Sequence, residues 1–298
     1  MDELGRVLFY YRHCALLGLI VCTDSLESYS DSWPYGDRDN NSFRRIIFYR
    51  GLDRTFNRDS KKLQTINHKP QTINQPPTFS PQPPAKIACS WSGGKDSCFA
   101  LMRSVQQGYR LTALVNMMNE HGKISRSHGL PLQVLQQQAT AIGVPIVAIP
   151  TSWNDYRMNF TGALQQLRTQ YGVEAMVFGD IDLQPHRDWE EMVCRDAGLD
   201  AVLPLWQQDR RALINEMIAG GIEAMIVSCN AQMGPSFLGR KINTGLVNEL
   251  EQAGIDACGE NGEYHTVVTN CPLFKEEVIL PGYEKVQHEG YWFLTWKV

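Results

Sequence analysis

KIACSWSGGKDSCFALMRSVQQG, residues 86–108, decides the fold. The apolar run 86–91 predicts a strand, and 96–107 predicts a helix with Phe99, Met102 and Val105 near one face and Gly108 at its end. Between them lies a glycine-rich turn, Ser92 to Ser97. A turn of this kind at the mouth of a helix brings backbone N–H groups and the positive end of the helix dipole together, an arrangement suited to phosphate. Gly93 and Gly94 permit close backbone approach, Lys95 adds a mobile positive charge, and Ser92 and Ser97 add hydroxyls. Asp96 would repel a phosphate unless a cation lay between them, which points to Mg2+. The Walker string is excluded because Asp96 follows Lys95, and the dinucleotide string GxGxxG is absent.

Outward from this turn the alternation continues. Strands are predicted at 111–116, 146–149 and 175–179, with helices at 132–142, 154–171 and from 186 to about 197. Such alternation implies an α/β fold with a doubly wound parallel sheet, Rossmann-like. Beyond Pro204 come helices at 210–219 and 244–253 and strands at 223–228, 264–268 and 291–298, read as a second, smaller α/β domain. The expected organisation is therefore 1–85 as a disordered extension, 86–204 as the ATP-binding domain and 205–298 as a smaller substrate-recognition domain.

Residues 24–84 carry no sustained period, end in Pro76, Pro77, Pro81, Pro83 and Pro84, and repeat Gln-Thr-Ile-Asn at 64–67 and 71–74. The first 85 residues are expected to be either a dispensable extension or an artefact of start-site choice, with the ATP-binding unit beginning near Lys86. The apolar stretch Ala15 to Cys22 is too short to span a bilayer and has weak signal-peptide flanks. Eight cysteines without a CxxC pair read as reduced thiols of a cytoplasmic protein and weigh against structural zinc. The formal net charge of -4 argues against nucleic acid held mainly through its phosphates. Cys89 and Cys98 flank the turn among apolar neighbours and read as packing rather than as nucleophiles.

The string Ser92-Gly93-Gly94-Lys95-Asp96-Ser97 resembles the signature of the PP-loop, or N-type ATP pyrophosphatase, superfamily. Three further stretches narrow the likeness: Phe178-Gly179-Asp180-Ile181, Leu203-Pro204-Leu205-Trp206, and Cys258-Gly259-Glu260-Asn261-Gly262-Glu263-Tyr264-His265-Thr266. Together they resemble the diphthine–ammonia ligase (diphthamide synthase) family over essentially Lys86 to Val298. The resemblance implies an adenine-nucleotide alpha hydrolase type of fold. It also implies an ATP-dependent ligase that adenylates a carboxylate, releases pyrophosphate and lets ammonia displace AMP, with diphthine on a translation elongation factor as acceptor. Other readings are a PP-loop enzyme acting on a different substrate, motivated by Asn261 and His265 where the family pattern carries glycine and glutamate, and a non-catalytic ATP-binding module.

On this reading Ser92, Gly93, Gly94, Lys95, Asp96, Ser97, Gly179 and Asp180 bind ATP. Asp96 and Asp180 hold Mg2+; Lys95, Asp96 and Glu263 are catalytic; Glu260, Glu263, Tyr264 and Thr266 recognise the substrate. Asp180 follows an apolar strand, at the strand end where open α/β sheets bind ligands. The residues opening the next helix, His186 to Glu190, read mostly as a solvated face, with Arg187 able to reach a phosphate or carboxylate. Gly239, Arg240 and Gly245 are placed along the cleft.

Overall fold

The computed structural model describes residues 85–297, and the expectations for residues 1–84 lie outside the described residues. In chain order the elements are β1 (Lys86–Ser90), α1 (Lys95–Gln106), β2 (Arg110–Met118), α2 (Leu132–Ile142), β3 (Ile146–Pro150), α3 (Tyr156–Tyr171), β4 (Ala175–Val177) and α4 (Gln184–Ala197). They continue with β5 (Asp200–Val202), α5 (Arg210–Ala219), β6 (Glu223–Asn230), α6 (Thr244–Gln252), β7 (Tyr264–Asn270), β8 (Tyr283–His288) and β9 (Tyr291–Trp296).

The first five strands form an all-parallel sheet in the order β3-β2-β1-β4-β5. Its strands are apolar on both faces. Ile87 and Cys89 of β1 face one core with Leu101 and Leu135, while Ala88 between them faces another with Phe160, Leu164 and Val193. The chain runs outward from β1 to β3 and returns beside β1 as β4. The reversal therefore lies at the carboxyl ends of β1 and β4, where such sheets bind ligands.

The remaining four strands form an antiparallel sheet in the order β7-β6-β9-β8. This sheet shares the first core: Val227 and Val267 pack in one cluster with Ile87 and Leu101. An extra residue on β6, Val227, opposes the step from Thr266 to His265, and such a bulge re-aims side chains on the facing strand. Two strands escaped the sequence reading, β5 and β8. Among the described residues, no helix is long and apolar enough to cross a membrane.

Candidate nucleotide site

The turn at 92–97 sits where the sheet topology places a ligand, and it is held from several sides. Gly93 has φ +84, a backbone setting that favours glycine, and a Cβ there would stand 2.6 Å from Leu130 and 2.9 Å from Gln138. Its carbonyl accepts from the Val268 amide (2.9 Å) and from Gln138 Nε2 (3.0 Å). Gln138, fully buried on α2, also donates to the Val268 carbonyl (2.8 Å) and accepts from the Trp91 indole (2.8 Å). The Lys95 amide donates to Thr266 Oγ1 at 3.1 Å, and the Ser92 and Ser97 hydroxyls meet at 3.0 Å. β7 thus helps to shape a turn that the sequence attributes to β1 and α1.

The turn opens into a cavity of about 520 Å3, within the range of small-molecule sites. Lys95, Asp96, Asp180, Glu260, His128 and Trp153 are among its lining residues. Lys95 is 2% exposed; its Nζ donates to Asp96 Oδ2 (2.9 Å) and to the Cys258 carbonyl (2.5 Å) and lies 5.2 Å from the centre of the Tyr264 ring. Burial pulls the Lys95 ammonium down, but Asp96, Tyr264, Cys258 and Glu260 outweigh it and hold the group above its ordinary value, so it stays charged. Burial pushes Asp96 up against the pull of Lys95, and nearby Asp180 adds to the rise. Glu260 is driven well above the carboxylate range by burial and by Asp96.

These carboxyls repel one another, and Asp96 Oδ1 is buried without a hydrogen-bond partner. Both observations fit a cation beside Asp96. Among the described residues no three His, Cys, Asp or Glu side chains form a metal-binding group.

Gly179 is required for another reason. A Cβ there would lie 2.7 Å from the Ser97 nitrogen and 2.8 Å from the Asp96 carbonyl carbon, so the end of β4 abuts the start of α1. Asp180 follows directly: its Oδ1 lies 2.7 Å from His186 Nδ1, and the Glu190 carboxyl is its other hydrogen-bond neighbour. Burial raises Asp180, and these two bonds more than reverse it.

The structure brings Glu260, Tyr264 and Thr266 to the cavity wall, yet Tyr264 commits its hydroxyl to the Ala257 carbonyl (2.6 Å). Glu263 does not reach the wall. Its carboxylate turns back into its own loop, accepting from the Asn261 amide (2.9 Å), Asn261 Nδ2 (3.1 Å) and the Asp256 amide (3.3 Å). In this placement it stitches its own turn, away from the position expected of a catalytic and substrate-binding residue. Arg187 pairs with Glu191 (2.6 Å) and covers Trp206, and Arg240 pairs with Glu249, so neither faces the cavity. Gly239 packs beside Tyr283, and Gly245 lies in the first turn of α6 beside its N-cap Asn243; neither is among the cavity-lining residues.

Sequence reasoning missed Gln138, Arg126 and His128. Gln138 was visible in principle as a polar residue on the apolar stripe of Val134, Leu135 and Ala139. Arg126, 6% exposed, binds the Met118 and Thr151 carbonyls and lies 4.8 Å over Trp153. Burial lowers it to about 10. His128 meets the Thr266 carbonyl at 2.7 Å and tilts against His265, with ring centres 4.7 Å apart. Burial lowers His128 to about 4 and puts His265 well below the usual range, so both imidazoles are neutral at pH 7.

A phosphate-binding turn at the switch point of a parallel sheet, with a charged lysine and a cation-seeking carboxylate at its rim, defines a nucleotide-binding α/β protein of the PP-loop kind. Comparison with known proteins narrows that class. The diphthamide synthase N-terminal domain model matches residues 85–201 and the diphthamide synthase C-terminal domain model matches 209–298, so the chain belongs to the diphthamide synthase family. It is similar to proteins named diphthine–ammonia ligase. The Rattus norvegicus protein is 27% identical over 69% of this chain and 86% of the relative, and the Danio rerio protein is 28% identical over 66% and 87%. The Schizosaccharomyces pombe protein is 29% identical over 67% of this chain, which spans only 36% of that longer relative. Likeness to solved structures is remote: a predicted subunit of tRNA methyltransferase from Methanocaldococcus jannaschii aligns at 14% identity over 65% of this chain and all of its own, with a TM-score of 0.36.

Proposed function

We propose that this chain is an ATP-dependent carbon–nitrogen ligase that joins ammonia to the carboxylate of diphthine on a translation elongation factor. The observation that carries the reading is the turn at 92–97, completed by β7 of the C-terminal region and facing a cavity walled by the 258–266 loop. An acceptor carboxylate oxygen bonds to the α-phosphorus of ATP and pyrophosphate leaves. Ammonia then forms the C–N bond as the C–O bond to AMP breaks, and nitrogen sheds a proton. The backbone N–H groups of the turn and buried Lys95 face charge that moves onto the leaving pyrophosphate. Asp96 would hold Mg2+, which supplies neutralisation of phosphate charge. His265, where the family pattern has glutamate, sits neutral on the wall beside His128.

The division of labour we propose is 86–204 for ATP and 205–298 for acceptor recognition, with Glu260 the recognition residue that faces the cavity. Six described cysteines are free and buried, a chemistry suited to the reducing cytoplasm. The test is incubation with ATP, Mg2+, ammonium and diphthine-bearing elongation factor. AMP, pyrophosphate and amidated factor should appear together, and Lys95→Ala should abolish all three. AMP without amidated factor would move the reading to another acceptor, and tight ATP binding without turnover would make the chain a sensor.

A further inference from the structure

On its buried side α2 carries Val134, Leu135 and Ala139, and among them Gln138, which is also fully buried. A leucine would suit that stripe, and burying an amide there costs free energy unless its hydrogen bonds are made. They are made in three separate places. Oε1 accepts from the Trp91 indole just after β1 (2.8 Å), and Nε2 donates to the carbonyls of Val268 on β7 (2.8 Å) and of Gly93 in the turn (3.0 Å). The bond to Gly93 has a use beyond packing.

The peptide between Gly93 and Gly94 joins two residues without Cβ, and such a linkage turns over more easily than any other. A trans peptide points its C=O and its N–H in opposite directions. The Gly93 carbonyl is held inward by Gln138 Nε2 and by the Val268 amide (2.9 Å). The Gly94 N–H therefore faces the other way, where it meets Ser92 Oγ (3.2 Å). Ser92 and Ser97, whose hydroxyls meet at 3.0 Å, both line the cavity, so the donor side of this peptide is the cavity side. Backbone N–H groups turned to one concave side are what an anion needs. Turned over, the same peptide would present a carbonyl oxygen to the phosphates and repel them. We propose that Gln138 is a positioning residue that locks the Gly93–Gly94 peptide with its N–H toward the cavity, and so sets the affinity of the turn for pyrophosphate.

This inference rests on reading the turn as the pyrophosphate site of the proposed ligase, and it asks nothing of the acceptor or of the nitrogen source. Gln138 acts through Gly93 and not on the nucleotide. Without Nε2 the carbonyl keeps its bond from the Val268 amide, so the turned-over peptide becomes populated without taking over. Apparent affinity then falls by the fraction of molecules that remain competent.

Calorimetric titration of the full chain with inorganic pyrophosphate and Mg2+, and separately with AMP, tests the lock in two variants. Gln138→Met keeps the length and loses all three bonds; Gln138→Glu keeps the acceptor for Trp91 and cannot donate to both carbonyls. Affinity for pyrophosphate should fall about tenfold in either, as expected for one buried hydrogen bond, while affinity for AMP holds. Hydrogen exchange at the Val268 amide, which the Gly93 carbonyl protects, should quicken in the same variants. Where Gln138→Met does not fold, Gln138→Glu carries the test. Equal losses for pyrophosphate and AMP would make Gln138 a core residue only, and unchanged pyrophosphate affinity or unchanged Val268 exchange would remove the lock. A wild type that binds no pyrophosphate overturns the reading of the turn, and the lock with it. A wild type that binds pyrophosphate yet forms no amide overturns the ligase reading alone, and the loss in the variants still supports the lock.

Discussion

The backbone N–H of Lys95 donates to the hydroxyl of Thr266 at 3.1 Å, across 171 positions of sequence. Thr266→Val keeps the shape and strands a buried donor, which costs about 1–3 kcal/mol. The variant should show a lower urea midpoint together with a higher ATP requirement in pyrophosphate exchange. A changed midpoint with an unchanged ATP requirement would detach Thr266 from the nucleotide.

Gly179→Ala tests the contact between β4 and α1. The clash is with backbone at 2.7 and 2.8 Å, which cannot rotate away, so the start of α1 must shift. A displacement near the reacting groups costs about a hundredfold in rate, whereas overpacking costs about 1–3 kcal/mol in stability. Exchange activity should therefore collapse in a protein that still melts cooperatively.

The unit from β1 to β2 was legible because apolar runs flank a turn whose residue types admit few other uses. α2 was legible to the residue because Leu132 to Ile142 keeps its period and Gly143 stops it. β5 and β8 were not. β5 has three residues, and β8 reads YEKVQH with mostly exposed side chains, so neither carries the alternation that marks a strand. At the site, the turn and Asp180 were readable as places, but their partners were not. His186 and Glu190 stand in the run His-Arg-Asp-Trp-Glu-Glu, which composition alone assigns to solvent, and only the helix rotation turns them inward. Glu263 misled for the converse reason: a loop can fold a carboxylate onto its own amides, and sequence does not show that closure.

His128 carries a pH signature. Its folded value, about 4, lies below the unfolded 6.5, so between them the unfolded chain binds a proton that the fold refuses. Its contribution is fully present above 6.5 and is lost as pH falls toward 4, an effect of about 3 kcal/mol. Measured against His128→Gln by urea unfolding, the wild type should lose relative stability across that window. A parallel pair of curves would contradict the burial assigned to this imidazole.

Glu190 has the opposite sign. Its folded value is raised, so its contribution is complete below the unfolded 4.5 and declines as pH rises toward its folded value. Glu190→Gln should therefore be more stable than the wild type at pH 7, with the advantage shrinking on acidification. Equal stability at pH 5 and pH 7 would mean that Glu190 ionises normally.

Arg210 ties the 256–263 loop to the segment after β4, with two bonds to Asp182 (2.7 and 2.8 Å), one to Asn261 (3.1 Å) and an ion pair with Asp256 (3.2 Å). Arg210→Ala should raise the concentration of acceptor needed for half-maximal rate and expose the loop to limited proteolysis. It should cost about 1 kcal/mol of stability, because these groups are partly solvated.

The core that runs from Ile87 to Val267 has a consequence for how the lobes come apart. Lobes that share one apolar interior, and whose phosphate turn is held by β7, would expose that interior to water if they swung apart as a clam does. Heating should accordingly melt residues 86–297 in a single calorimetric transition, with no stable half-molecule on the way.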